Sequence, residues 1–289
     1  MKLGRSSSIK KVMNNDFILN SEYISIFEKN GVVLLKNMIN KKWQRILNDA
    51  IEEDIKKPGP FFHSYKTEDG KGNFHGNMRI WEHYKGLKDY CTKSPLPYFA
   101  AQLLNSNKIN LFYDQLFVKE PETKNCIRWH NDQPYWPIRG WPVISFWTSL
   151  DPISKNNGPM EFISKSHKWG KWYQPEHFAP GASKAYEQNP EFEKIPDIDS
   201  NRDKYDIISF DMNPGDLLAF HALVVHGSAG NISRNRRRRG YAVRYTGDDV
   251  FYSTDKGSHL DLRNPELENG NLLDSKQYPV VWEKDKNVY

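Results

Sequence analysis

The chain is poor in cysteine: 289 residues hold only Cys91 and Cys126. That excludes a disulfide-stapled scaffold and makes a reducing cytoplasm the expected compartment. Long hydrophobic runs are missing as well. Nothing approaches the roughly 20 apolar residues that span a bilayer, so no membrane partner is expected. Residues 1–12 are basic and serine-rich with no apolar segment behind them, which does not read as a secretory signal. Residues 1–15 read instead as a flexible tail. No internal repeat or low-complexity tract appears. Neither sign of charge dominates: the net charge is +5, and much of it sits in residues 2–11 and 234–239. A balance that mild does not imply a nucleic-acid partner.

What the chain does have is aromatic residues, with 9 Trp, 15 Tyr and 15 Phe. The length suits one large domain over 1–289. Residues 21–30 predict a short helix, with Ser21 as its cap, and 31–35 a buried strand. Trp43, Ile46, Leu47, Ile51 and Ile55 recur at helical spacing, predicting a helix over 40–57 that Pro58-Gly59-Pro60 stops. Residues 60–78 are polar, aromatic and glycine-containing. They read as a loop or lid; His63 and His75, with Arg79 just after, are read first as surface loop residues and second as residues facing a site. A further helix is expected over 95–104. From residue 108 the pattern turns to strands, over 109–118, 143–150, 160–164, 216–221, 224–228 and 241–245, separated by turn residues. Residues 169–203 show no period and read as an insertion that covers the site. Residues 254–289 are polar and are expected to wrap the outside. Short strands after N-terminal helices predict a mainly β fold, a double-sheet jelly roll with added helices.

One stretch carries chemistry, Arg128-Trp129-His130-Asn131-Asp132-Gln133-Pro134-Tyr135-Trp136. In extended backbone, residues i and i+2 share a face, so His130 and Asp132 would point together and Asn131 away. A two-histidine, one-carboxylate face for non-haem Fe(II) needs a third ligand. His226 and His221 both lie downstream on strand-like segments. A lone His-x-Asp is a weak signal and by itself fits a solvated surface turn better. The aromatic run after it, the strand-borne histidines and the arginines at 236–239 shift the balance toward a metal site.

Taken together these segments resemble the phytanoyl-CoA dioxygenase family of Fe(II)/2-oxoglutarate-dependent dioxygenases. The match runs through Phe112-Tyr113-Asp114-Gln115-Leu116-Phe117, Trp129-His130-Asn131-Asp132-Gln133, Asn156-Asn157-Gly158-Pro159, Pro214-Gly215-Asp216, His226-Gly227-Ser228 and Arg238-Arg239-Gly240-Tyr241. It spans roughly residues 31–250. The resemblance implies a double-stranded β-helix (jelly-roll, cupin-like) core. It also implies Fe(II), 2-oxoglutarate and O2 as cofactor and co-substrates, and His130, Asp132 and His226 as catalytic metal ligands. The family's His-Gly pair selects His226, leaving His221 as a buried structural histidine. Related halogenases carry a small residue where Asp132 stands, so the resemblance points to hydroxylation.

The far carboxylate of 2-oxoglutarate calls for an arginine with bidentate geometry. Counting from His226 favours Arg237. Anchoring on the following strand favours Arg238, and we prefer it because register decides which side chain faces in. By resemblance Trp147, Gln115 and Asn131 border the co-substrate. Tyr135, with Trp136 beside it, and Arg244, which shares parity with Arg238, are expected on the substrate side. His167 and His177 show no ligand pattern. The expected activity is hydroxylation of a small molecule with release of succinate and CO2. The alternatives are a non-catalytic jelly-roll binding protein, or an oxygenase of the same class performing desaturation, cyclisation or cleavage.

Overall fold

The computed structural model describes residues 17–67, 69–176 and 186–286. The tail expected at 1–15, and His177, lie outside the described residues. Fourteen strands are present among them: β1 Val32–Leu35, β2 His63–Lys66, β3 Asn73–Met78, β4 Lys108–Lys119, β5 Ile127–His130, β6 Ile138–Arg139, β7 Val143–Ser149, β8 Met160–Ile163, β9 Ile207–Ser209, β10 Leu217–His221, β11 His226–Ser228, β12 Arg238–Thr246, β13 Phe251–Tyr252 and β14 Val280–Glu283. Four helices accompany them: α1 Ser21–Asn30, α2 Lys41–Lys56, α3 Lys85–Lys93 and α4 Leu96–Leu104. An eight-stranded antiparallel sheet runs β1-β10-β7-β12-β4-β3-β2, with β14 also pairing β4. A four-stranded sheet, β5-β11-β8-β9, faces it. This is the jelly-roll arrangement expected, with the helices on the outer face of the large sheet. None of the described helices is long and apolar enough to cross a membrane.

The helices form where side-chain spacing and caps agree. Asn40 caps α2 by accepting from the Trp43 N–H at 3.1 Å, as an N-cap asparagine does. Leu47 and Ile51, at 1% and 0% exposure, seat the helix on the sheet, each contributing about 1.5–3 kcal/mol. At α1 the cap is Asn20, whose side chain accepts from Glu22 N, one residue before the serine expected. Helix α3 has no counterpart in the sequence expectations.

The large sheet is covered on both faces, so β7 and β12 are buried at every position. Their alternation therefore separates two interiors rather than core from solvent. Ile144, Phe146, Tyr241, Val243 and Tyr245 join the core under the helices. Trp147, Ala242 and Phe220 turn to the other side and pack toward the small sheet. Two sequence expectations are corrected here. Residues 60–78 are not a loop: β2 and β3 form a hairpin, with β3 paired to Gln115–Lys119 of β4. Residues 254–286 do more than wrap the outside. Leu262, Leu273 and Tyr278 enter a core with Phe112 and Trp136, and β14 extends the large sheet.

Candidate functional site

His130 ends β5 and His226 begins β11, and the two stand directly opposite each other across that antiparallel pair. Their ring centroids are 4.2 Å apart. His130 Nδ1 lies 2.8 Å from the Arg128 carbonyl oxygen, and His226 Nδ1 lies 3.0 Å from that of Val224. A carbonyl can only accept, so each Nδ1 carries a proton and each Nε2 is the nitrogen turned toward Asp132. Both rings are thus oriented as metal ligands by the backbone.

Asp132 joins them by a route the sequence reading did not foresee. Its φ of −72° and ψ of −44° are helical, and it leads into a 3-10 turn over Gln133–Tyr135. Strand alternation does not bring it to His130; a chain reversal does, pinned by the Asp132 N–H donating to Ala222 O at 2.9 Å. Asp132 Oδ1 then lies 3.3 Å from His130 Nε2 and 3.8 Å from His226 Nε2. Ser145 Oγ donates to Oδ2 at 3.3 Å. The three ligand atoms lie within 4.8 Å of one another, all on buried residues. Burial opposes the charge on Asp132. The imidazole of His226, the His130 hydrogen bond and Arg244 outweigh it and hold the carboxyl well below the usual carboxylate range. Burial, with His130 adding to it, pulls His226 down to about 4, so at neutral pH the ring is neutral. A carboxylate and two imidazoles are the donor set that suits Fe(II).

The triad lines a cavity of about 500 Å³ between the sheets, a volume in the usual range for small-molecule sites. Its walls include Gln115, Tyr135, Trp136, Trp147, Arg238 and Arg244, as expected, and His63 from the β2 hairpin. Strand parity resolves the arginine run. Arg237 and Arg239 point outward to α2: Arg237 pairs with Glu52, and Arg239 binds Glu52 and Asp151 at 2.7 and 2.6 Å. Arg237 is therefore not at the cavity. Arg238 faces in at 1% exposure. Its guanidinium sits 4.8 Å over the Trp147 ring, and Nη2 donates to Gly158 O at 2.8 Å. Its Nε finds no acceptor among the described residues. Burial lowers Arg238 to about 10, so the cation persists in an apolar wall.

Other expected residues lie elsewhere. The Asn131 amide donates to Lys171 O at 2.9 Å and accepts from Tyr173 N; it fastens the insertion and does not line the cavity. His75 is buried 3.1 Å from Glu120, and Arg79 pairs with Glu82. His221 donates from Nε2 to Trp141 O at 2.9 Å and accepts the Leu223 N–H at Nδ1. Both its nitrogens are used in the neutral form, and it is no ligand. His167 packs 5.5 Å from it. The insertion covers one side of the cavity through Tyr186.

Several residues at the site were missed by sequence reasoning. Tyr113 and Phe117 line the cavity, and their parity with Gln115 on β4 was the available signal. Gly240 lies flat against Trp147, where an added Cβ would meet Cζ2 at 2.1 Å. Ser228, whose hydroxyl lies 2.7 Å from the buried Lys119 Nζ, also borders the cavity. His259, Asp261 and Leu262 line it from the C-terminal segment, which carried no signal.

Residues 27–240 match the family model described as Phytanoyl-CoA dioxygenase (PhyH). A "Probable phytanoyl-CoA dioxygenase" of Caenorhabditis elegans is 24% identical over 256 residues, covering 81% of this chain and 77% of that protein. Among solved structures, the non-heme alpha ketoglutarate dependent carbocyclase SnoK from nogalamycin biosynthesis superposes with a TM-score of 0.72 at 18% identity, covering 92% of this chain and 97% of SnoK. The epimerase SnoN, in complex with Fe3+, alpha ketoglutarate and nogalamycin RO, superposes with a TM-score of 0.69 at 16% identity, covering 90% and 98%.

Proposed function

The chain belongs to the phytanoyl-CoA dioxygenase family of Fe/2-oxoglutarate-dependent dioxygenases, and from that premise we propose that it hydroxylates a small-molecule substrate. The observation that carries this is the set of two backbone-oriented imidazoles and one ionised carboxylate within 4.8 Å, opening onto a cavity. When bound, Fe(II) with 2-oxoglutarate and O2 supplies the oxidation of a C–H bond to C–OH, and 2-oxoglutarate leaves as succinate and CO2.

The protein's own contributions follow from the geometry. His130, Asp132 and His226 would hold one face of the metal and leave its other positions to the co-substrates. Arg238 would take the far carboxylate of 2-oxoglutarate, with its unmet Nε donor supplying a charge-assisted hydrogen bond. Trp147 stacks on that guanidinium and, with Gln115, closes the wall behind the co-substrate. Tyr135 is held by Glu176, donating to its carbonyl at 2.8 Å, and presents its ring to the substrate side. The described residues work as one unit in this reading. We place it in the cytoplasm, consistent with Cys91 and Cys126 both being free thiols.

The test is anaerobic titration of the protein with Fe(II) and 2-oxoglutarate, watching the visible metal-to-ligand charge-transfer band. The band should appear in the natural protein and vanish in an Asp132→Ala/His226→Ala variant. A folded protein that binds neither component would leave only a non-catalytic binding role. The kinship with structures described as a carbocyclase and an epimerase favours a second reading, an outcome of the same class without net oxygen insertion. Product mass separates the two, because hydroxylation adds one oxygen atom.

A further inference from the structure

Arg244 is the second buried arginine of the cavity wall; its parity with Arg238 put it on the substrate side, and what it would bind there has not been named. It is 4% exposed. It lies six residues beyond Arg238 on the same face of β12, roughly 20 Å along the strand. Aromatic rings cover its faces: the guanidinium carbon is 4.4 Å from the Tyr113 ring centroid, 5.7 Å from that of Trp136 and 5.8 Å from that of Phe117. Its Nε and Nη1 meet no acceptor among the described residues. Nη2 stands 4.0 Å from Asp132 Oδ2, beyond hydrogen-bond range, and that oxygen already accepts from Ser145.

A buried cation with unmet donors is costly unless something supplies acceptors. The protein could have lined this wall with one more apolar residue. It has instead built a rigid aromatic holder around a planar five-donor group that matches oxyanions. Asp132 supplies attraction at a distance but no hydrogen bond, so the geometry of the donors is left for a guest in the cavity.

We propose that Arg244 anchors an oxyanion of the substrate, a carboxylate or a phosphonate. Because Arg244 adjoins Asp132, the oxidised carbon lies only a few bonds from that anion. The body of the substrate then extends along the aromatic wall of Phe61, Tyr65 and Phe74, which all border the cavity. This specificity assignment rests on the functional reading above, and its test fails separately from that reading.

The test uses the protein loaded with Zn(II) and 2-oxoglutarate, titrated by ligand-observed NMR with three matched probes: phenylacetate, benzylphosphonate and phenylacetamide. One anion, or both, should bind at least tenfold tighter than the neutral amide, and whichever does identifies the anion. In Arg244→Met that preference should vanish, while the anaerobic charge-transfer titration with Fe(II) still gives the same 2-oxoglutarate affinity. Equal binding of all three probes, or of none, by the natural protein overturns the proposal without needing any variant to fold. A preference that survives in Arg244→Met also overturns it. So does a variant that loses 2-oxoglutarate affinity instead, since Arg244 would then serve Asp132 or the co-substrate. Absence of the charge-transfer band in the natural protein would count against the oxygenase reading, whereas the probe comparison reads the anion site directly.

Discussion

Replacing Arg238 by methionine should make the metal-free protein more stable and at the same time abolish its response to 2-oxoglutarate. The magnitude follows from the surroundings. Burial lowers the guanidinium from its ordinary 12.5 to about 10, a gap that corresponds to about 3 kcal/mol against the charged form. Methionine loses the Nη2 bond to Gly158 O at 2.8 Å, worth about 1 kcal/mol. It also loses the cation–ring contact with Trp147, worth about another 1 kcal/mol. The net expectation is about 1 kcal/mol in favour of methionine, or a rise of about 2–4 °C in Tm. Replacing a buried charge by an apolar side chain has this sign where its partners are few. Binding goes the other way: the far carboxylate loses charge-assisted hydrogen bonds, and affinity for 2-oxoglutarate should fall about a hundredfold. The assay is thermal unfolding of both proteins, metal-free and then with Fe(II) and 2-oxoglutarate under anaerobic conditions. At a co-substrate concentration about 100 times Kd, the natural protein should gain about 2.7 kcal/mol and the variant little. A variant less stable than the natural protein when empty, yet stabilised equally by 2-oxoglutarate, would refute the reasoning.

Three further outcomes are expected. Gly240→Ala forces Trp147 off the position where a Cβ would meet it at 2.1 Å. It should cost about 1–3 kcal/mol in denaturant unfolding and raise the KM for 2-oxoglutarate; unchanged values for both would show that the indole moves aside freely. Burial holds His221 down at about 3, whereas the unfolded chain takes that proton near its ordinary 6.5. The stability it contributes is therefore present above pH 6.5 and lost as pH falls toward 3. His221→Asn should flatten the decline in metal-free urea unfolding between pH 6.5 and 4.5 by on the order of 2 kcal/mol. Asp114 carries the opposite sign. Burial raises it to about 7 from 3.8, so its contribution is full below pH 4 and lost as pH rises through 7. Asp114→Asn, keeping an acceptor for the Tyr241 hydroxyl now 2.5 Å from Oδ2, should remove that loss; a profile identical to the natural one would show that Asp114 is ionised throughout.

The sequence was most legible where one local signal decided the matter. Helix α2 lies within a residue of its expected bounds because its apolar spacing, the Asn40 cap and the Pro58-Gly59-Pro60 stop agree. The strand carrying His226 was placed by residue type and turn chemistry, whereas the segment carrying His130 was read only as extended backbone and its pairing as β5 was not foreseen. The geometry of Asp132 was not legible, because the reversal that aims it depends on a bond to Ala222, ninety positions away in the chain. Parity named Arg238 and Arg244 together once β12 was in register. The same logic, applied to β4, would have found Tyr113 and Phe117. The hairpin at 63–78 was hidden because its pairing with β4 is non-local, so polar residues and glycines in it read as a loop. Nothing marked 259–262 as cavity wall, since its place follows from how the chain returns past Trp136.

The division of labour between strands bears on how such a protein changes its diet. β11, which carries His226, and the inward row of β12 lie in the interior of their sheets, and β5, which carries His130, is an edge strand fixed to β11. Much of the outer wall, His63 and Tyr65 among it, hangs from β2, an edge strand bonded only to β3. The segment at 259–262 is likewise free of any sheet. Insertions, exchanges or recombination in these two pieces alter the shape of the mouth while the register behind them stays put. A library confined to residues 60–66 and 259–262 therefore explores new substrates at little risk to the oxidising centre, and lineages of this fold have the same route open to them.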